Sequence, residues 1–234
     1  MITSNALVIP DSLLAKEATA VLREHSTDLL FNHSIRVYLF AAEQGHQRRI
    51  RFDAELLYVA AAFHDLGLIK KFSSPDERFE VDSANAARQF LSAHNISEEQ
   101  VQTVWEAIAL HTTPGIPKYM GPEVALLNSG VLLDVIGVGL DQFPVEVREQ
   151  IVAKYPRTNF KERFIKEYFA GFAHKPASTY GTELPPIGRI KPAVPRRIHI
   201  KALFPATRTK TRGCPKTSAL VAPTNQKTEC SGKN

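Results

Sequence analysis

The chain has 234 residues, of which 44% are hydrophobic and 23% charged, which is ordinary for a globular protein and enough for one full-sized core with an appendage. No run approaches the roughly 18 apolar residues of a membrane-spanning helix, and the two cysteines, Cys214 and Cys230, lie near the C-terminus, which excludes a disulfide-stabilised core. The net charge of +5 is unevenly spread, because residues 182–234 hold 11 Lys/Arg against two acidic residues, whereas residues 1–181 carry a net charge of −4.

Eight segments of the first 181 residues have the pattern of amphipathic helices, with apolar residues recurring every three or four positions. Several begin at a side chain typical of helix N-caps, among them Ser12, Asp53 and Ser97. No segment alternates with a period of two, so the sequence predicts an all-α domain. The predicted helices span residues 11–25, 32–43, 54–64, 82–94, 97–111, 123–139, 144–155 and 159–174.

Residues 182–234 differ in composition from the part before them. Seven of the 15 prolines fall there, together with many Lys, Arg, Thr and Ser and little sustained apolar pattern. We therefore divide the chain into a globular domain, residues 1–181, and a basic tail that we expect to be disordered. The tail has too few aromatic residues among its Lys and Arg to form a stacking surface for nucleic acid, and a solvated extension or a gene-model artefact describes it better.

The third predicted helix ends in a histidine and a carboxylate. Leu57, Ala60 and His64 share one face, so His64 extends the buried stripe, and Gly67 is expected to end the helix with a positive φ. His64 and Asp65 thus offer a nitrogen and an oxygen to one point, as a divalent cation requires. A core histidine paired with a neighbouring element is the alternative.

Three further polar side chains fall on apolar helix faces. His33 lies four residues before Val37 on the second helix, and His111 extends the stripe of the fifth. Asp134 lies within the apolar sixth helix, where an unpaired carboxylate would cost several kcal/mol or would have to be protonated. A metal ion, an arginine, with Arg36 as the candidate, or a set of hydrogen-bond donors must therefore meet Asp134.

The order His, His-Asp, Asp on successive helices resembles the signature of the HD superfamily of metal-dependent hydrolases. It occurs here as Asn32-His33-Ser34-Ile35-Arg36, then Phe63-His64-Asp65-Leu66-Gly67, then Leu133-Asp134. Residues 79–82, 108–112 and 174–181 are in addition similar to the cyanamide hydratase-like branch. The resemblance covers roughly residues 25–181, and it implies an HD-domain helical bundle with its core at about 25–174.

This resemblance implies one divalent ion, with zinc favoured, held by His33, His64, Asp65 and Asp134. His111, Glu80 and Asp82 are the candidates for proton transfer. For His111 the alternative is a core histidine, and for Asp82 an N-cap of the fourth helix.

The resulting hypothesis is a hydratase that adds water to a small nitrile such as cyanamide and gives urea. The alternative is an HD-type phosphohydrolase acting on a nucleotide or phosphorylated metabolite, which would need cationic groups around the metal. A non-catalytic protein that keeps the metal for structure is a third interpretation. Apolar residues near the motifs favour a small neutral substrate; they are Phe31, Phe63, Phe79, Trp105, Leu110 and Ile116.

The expected partners follow from the same features. We expect a small-molecule substrate and neither nucleic acid nor a membrane, and the sequence leaves a homo-oligomer open. The first residues lack a basic segment followed by an apolar one, so we predict no secretory signal and a cytoplasmic location.

Overall fold

The computed structural model describes residues 8–179, and this part of the chain is all-α, as the sequence predicts. Short 3-10 turns occur at Leu66–Leu68, Pro117–Tyr119 and Pro176–Thr179, and no strand is present between residues 8 and 179. The predicted basic tail lies outside the described residues, and the domain division at residue 181 stays a prediction. The α-helices are α1 (Leu13–His25), α2 (Asp28–Gln47), α3 (Ala54–Phe63), α4 (Phe79–Ala93), α5 (Glu98–Ala109), α6 (Pro122–Ile136), α7 (Val145–Lys154) and α8 (Phe160–Phe172).

The N-cap residues explain why several predicted helix starts agree with the structure. The side chains of Ser12, Asp53 and Ser97 each accept a hydrogen bond from a backbone N–H in the first turn of α1, α3 and α5. α2 begins four residues before its predicted start, because Thr27 caps it by accepting from the backbone N–H of Leu30 at 3.3 Å.

The start of α4 changes the interpretation of one candidate residue. α4 begins at Phe79, three residues before the predicted start, and its N-cap position is Arg78. Asp82 therefore lies in the first turn of the helix, and its interpretation as an N-cap is wrong.

The core centres on α3, which packs against α1, α2 and α5. Every residue from Leu56 to Phe63 is buried, as expected for a helix that is apolar on all sides. α2 and α6 also lie against each other, and they approach closely at Gly130, where a Cβ atom would be 2.5 Å from the Val37 carbonyl oxygen. This close packing places the residues of α2 beside Asp134 of α6.

Gly67, in the turn after α3, is required for a different reason from the one expected. Gly67 lies in the 3-10 turn and does not have a positive φ, so the expected helix-ending role was wrong. A Cβ atom at Gly67 would lie 2.1 Å from the Phe79 carbonyl oxygen, and the Gly67 N–H donates to Ser83 Oγ at 2.7 Å. A glycine is thus required because the turn that carries His64 and Asp65 lies directly on the start of α4.

A second group of buried apolar side chains lies beside the main core. α8 contributes four aromatic residues that pack together with Phe79 and Leu68: Phe160, Phe164, Tyr168 and Phe172. None of the helices within residues 8–179 combines the length and apolar character that a membrane crossing requires.

Candidate metal centre

Three metal-capable side chains converge where the N-terminal part of α2 meets the end of α3. His33 comes from α2, and His64 and Asp65 follow the last residue of α3; all three are buried. The Nε2 atoms of His33 and His64 lie 3.2 Å apart, and Asp65 Oδ2 lies 3.5 Å from the first and 3.3 Å from the second. These side chains form the group that can hold an ion within the described part of the chain.

The outer nitrogen of each imidazole is fixed by an acceptor. His33 Nδ1 contacts Asp134 Oδ2 at 2.7 Å, and His64 Nδ1 contacts the Ala61 carbonyl oxygen at 2.8 Å. Because both oxygens act as acceptors, each Nδ1 carries the proton and donates, and each Nε2 presents a lone pair to the centre. The protein therefore holds both histidines in the tautomer that binds a metal.

The donor set fits a divalent ion. Two imidazole lone pairs face each other at 3.2 Å, and Asp65 Oδ2 is buried without a hydrogen-bond partner in the described residues. A tetrahedral ion with bonds of about 2.0–2.1 Å needs ligand atoms about 3.3–3.4 Å apart, which matches the three observed separations. Two nitrogens and one oxygen suit zinc and similar ions.

His111 lies at the edge of this centre. It is buried, its Nε2 is 3.7 Å from Asp65 Oδ1, and its ring meets the His64 ring edge-on at 5.0 Å between centroids. Its Nδ1 donates to the Ile108 carbonyl oxygen at 2.6 Å, so its Nε2 also presents a lone pair. Asn128 Nδ2 donates to the His111 carbonyl oxygen at 2.8 Å and holds this segment in place.

Asp134 is adjacent to the centre but is held by other partners. Arg36 donates to both of its carboxylate oxygens, from Nε and Nη2, at 2.8 Å each. Arg157 donates to Oδ1, and His33 to Oδ2. The salt bridge with Arg36, one of the possibilities drawn from the sequence, is therefore present, and the role of Asp134 as a direct metal ligand stays a prediction.

These charges shift the pKa values of the buried groups. Burial opposes ionisation of Asp134, but Arg36 and Arg157 outweigh it and hold the pKa of that carboxyl below its usual range. Burial likewise opposes ionisation of Asp65, but His64 and His111 outweigh it and lower its pKa well below the usual value. Burial lowers the pKa of His33, whereas the charge of Asp65 overcomes burial at His64 and raises its pKa.

The stability of the metal-free protein is expected to fall in acid, in part because of Asp134. Its pKa is lower in the folded than in the unfolded protein, so its stabilising contribution is complete above the unfolded value of about 3.9 and is lost as the pH falls below it. Urea unfolding in the presence of a chelator, repeated between pH 7 and pH 2.5, measures how the free energy of unfolding falls with pH. The free energy of unfolding of Asp134→Asn should fall less steeply in acid than that of the wild type. The exposed control Asp76→Asn should show the same pH dependence as the wild type. Equal profiles for wild type and Asp134→Asn would contradict the assignment.

Glu80 and Asp82 belong to two other ion pairs. Arg78 Nη2 donates to Glu80 Oε1 at 2.6 Å, and the Thr112 hydroxyl donates to the same oxygen. Both carboxylates are buried, but neither belongs to the group of His33, His64 and Asp65. The Glu80 network anchors the residue after His111 to the first turn of α4, and the catalytic role of Glu80 stays a prediction.

Asp82 connects three segments that are distant in sequence. It accepts from the buried ammonium of Lys175 and from the backbone N–H of Ser74 at 3.0 Å. The pair fastens the segment after α8 to the loop before α4, and a catalytic role of Asp82 stays a prediction. The sequence carried no signal for Arg157 and did not predict the partners of Arg78 and Lys175, because each lies at a helix boundary or in a connection without periodic pattern.

Aromatic rings contact two of the histidines at the centre. The ring centroid of His33 is 5.5 Å from that of Phe160 and 5.0 Å from that of Phe164, and the ring of Phe79 is 5.6 Å from that of His111. Of the predicted apolar lining residues, Phe79 makes such a contact, whereas Ile116 is exposed. Each cation described above is paired with a carboxylate: Arg36 and Arg157 with Asp134, Arg78 with Glu80, and Lys175 with Asp82.

Comparison with known proteins agrees with this picture. A family model described as the HD domain matches residues 30–154, just over half of the chain. No curated protein matches the chain. The matched range contains His33, His64, Asp65, His111 and Asp134, whereas α8 lies beyond it.

Proposed function

Because the chain belongs to the HD domain family of metal-dependent hydrolases, we propose that it is a hydratase of the cyanamide hydratase-like branch, which adds water to a small nitrile such as cyanamide and gives urea. One observation carries the choice of substrate class: aromatic rings contact His33 and His111, and the cations around the centre are already paired with carboxylates. Such surroundings suit a small neutral molecule.

We assign the metal site to His33 Nε2, His64 Nε2 and Asp65 Oδ2, with one zinc ion as the favoured occupant. A bound zinc ion supplies Lewis acidity, which makes water a competent nucleophile near neutral pH. Asp134 keeps His33 in the required tautomer through its bond to Nδ1. To become a fourth ligand, as the family resemblance implies, Asp134 would have to give up one of its present donors.

His111 is placed to move the proton. Its Nδ1 is occupied by the Ile108 carbonyl oxygen, so Nε2, which lies 3.7 Å from Asp65 Oδ1, is the nitrogen that would accept a proton from the attacking water. The water oxygen bonds to the nitrile carbon, one C–N π bond breaks, and the proton on Nε2 passes to the nitrile nitrogen. The product isourea then tautomerises to urea, so that the atoms of one water and one cyanamide are all accounted for.

The alternative is a phosphohydrolase, and the same surroundings count against it. A phosphate ester brings negative charge that enzymes neutralise with Arg, Lys or metal ions. The arginines and the lysine described near this centre would have to leave Asp134, Glu80 or Asp82 to contact a phosphate.

The deciding experiment measures urea formed from cyanamide by purified protein of known zinc content. Stoichiometric zinc with rapid urea formation would support both the branch and the reaction. Phosphate release from nucleotides or phosphomonoesters without urea formation would favour the phosphohydrolase. Bound zinc without turnover of either class would leave a structural metal as the interpretation.

Replacement of His111 by glutamine is expected to separate chemistry from metal binding. If His111 transfers the proton, kcat should fall by about 10²–10⁴-fold, while the zinc content and the unfolding temperature remain close to those of the wild type. A core histidine would give the opposite pattern, with lowered stability and retained kcat. Steady-state kinetics together with metal analysis on the same preparation distinguishes the two.

A further inference from the structure

A second cavity lies on the side of Asp134 where α6 ends. Its volume is about 360 Å³, within the range of small-molecule sites. Residues of α2, α6 and α7 and the connections between them form its walls, and Arg157 borders it. His33, His64 and Asp65 are not among its lining residues.

The cavity contains more positive than negative charge. Asp134 is its acidic residue, and Arg36, Arg157 and His33 already donate to that carboxylate. Arg148 of α7 also lines the cavity and is half-buried, and its guanidinium makes no hydrogen bond or ion pair with any residue described. The acidic residues nearest in sequence are exposed and do not line the cavity: Asp141, Glu146 and Glu149.

The rest of the wall is apolar. A ligand that filled the cavity would bury hydrocarbon against these side chains and place one negative group at Arg148. Inorganic phosphate or a sugar phosphate would leave the apolar wall without contacts. The apolar lining residues are Phe40, Leu133, Val135, Ile136, Leu140 and Val152.

We propose that this cavity is a binding site for a small amphipathic monocarboxylate, separate from the metal centre, in which Arg148 is the principal contact of the carboxylate. The planar guanidinium offers two parallel N–H donors that match a carboxylate. Arg157, at the border of the cavity, is held by Asp134, so Arg148 is the lining cation that can meet a ligand carboxylate.

Calorimetric titration of the full chain with octanoate tests the site, once with zinc and once in a chelator. We expect one octanoate per chain in both conditions, and at least a tenfold weaker affinity for Arg148→Gln. Lys154→Gln removes an exposed charge from the same helix outside the cavity and should bind as the wild type does. Val152→Phe, which fills the cavity, should also weaken binding.

Absence of binding, or equal affinity of Arg148→Gln and the wild type, would overturn the proposal. Binding that requires zinc and survives Arg148→Gln would place octanoate at the metal centre and would overturn it as well. The titration involves no turnover, so its outcome is independent of whether the chain hydrates cyanamide.

Discussion

Replacement of His64 by alanine is expected to abolish metal binding and activity together. His64 is fully buried, and its Nε2 lies within 3.3 Å of both His33 Nε2 and Asp65 Oδ2. Loss of a residue that merely orients a ligand costs 10- to 100-fold in metal affinity, so loss of a ligand should leave at most about a tenth of the wild-type zinc content. Elemental analysis and urea release from cyanamide measure the two effects.

The controls separate loss of the ligand from loss of the fold. His64→Asn retains a polar side chain of similar bulk and should also lose zinc, while its circular dichroism stays that of the wild type. His46 is an exposed histidine near the end of α2, and His46→Ala should bind zinc and turn over normally. Full zinc content in a folded His64 variant would show that the cluster does not hold the ion.

Replacement of Arg36 by methionine is expected to cause the largest loss of stability among single substitutions near the site. The guanidinium is fully buried, binds both oxygens of Asp134, and donates to the carbonyl oxygens of Tyr155 at 3.2 Å and Pro156 at 3.0 Å. Removal of one partner from a buried pair costs about 3–5 kcal/mol, because the remaining charge is left in the interior.

Urea unfolding measures the loss, with Arg51→Met as the matched surface control, since Arg51 is exposed. The control should change the free energy of unfolding by less than about 0.5 kcal/mol. The double variant Arg36→Met/Asp134→Asn removes both charges and should recover part of the loss. A change below about 1 kcal/mol for Arg36→Met alone would mean that Arg157 and His33 suffice to neutralise Asp134.

The elements were predictable because their signals are local. Ser12, Asp53 and Ser97 are N-cap residues that indicate a helix start from the sequence nearby. The apolar residues of α3 form one uninterrupted run. The start of α4 was not predictable from such signals, because Arg78 is a poor N-cap and makes no side-chain capping bond there. The family could be predicted from the order of His33, His64, Asp65 and Asp134, because that order is visible in the sequence itself.

The partners of these residues could not be predicted in the same way. A buried carboxylate at Asp134 required a metal ion, an arginine or a set of hydrogen-bond donors, but the choice among them depends on distances between α2, α6 and the segment after α7. Arg157 reaches Asp134 from a connection, and Lys175 reaches Asp82 across 93 residues of sequence. The role of Gly67 was wrongly predicted, because only the fold shows that the Phe79 carbonyl oxygen lies where a Cβ atom of this residue would be.

The metal-capable residues and the aromatic residues of α8 that pack against the centre lie in different parts of the sequence. The metal-capable side chains all fall within the residues that match the family, whereas Phe160 and Phe164, which face His33, come after that range. Substitutions in one short helix can therefore reshape what the centre admits while the metal-capable residues themselves stay unchanged. We therefore expect homologues with the same metal motif but different residues in α8 to differ in the apolar surroundings of His33, so that each should be tested for activity separately.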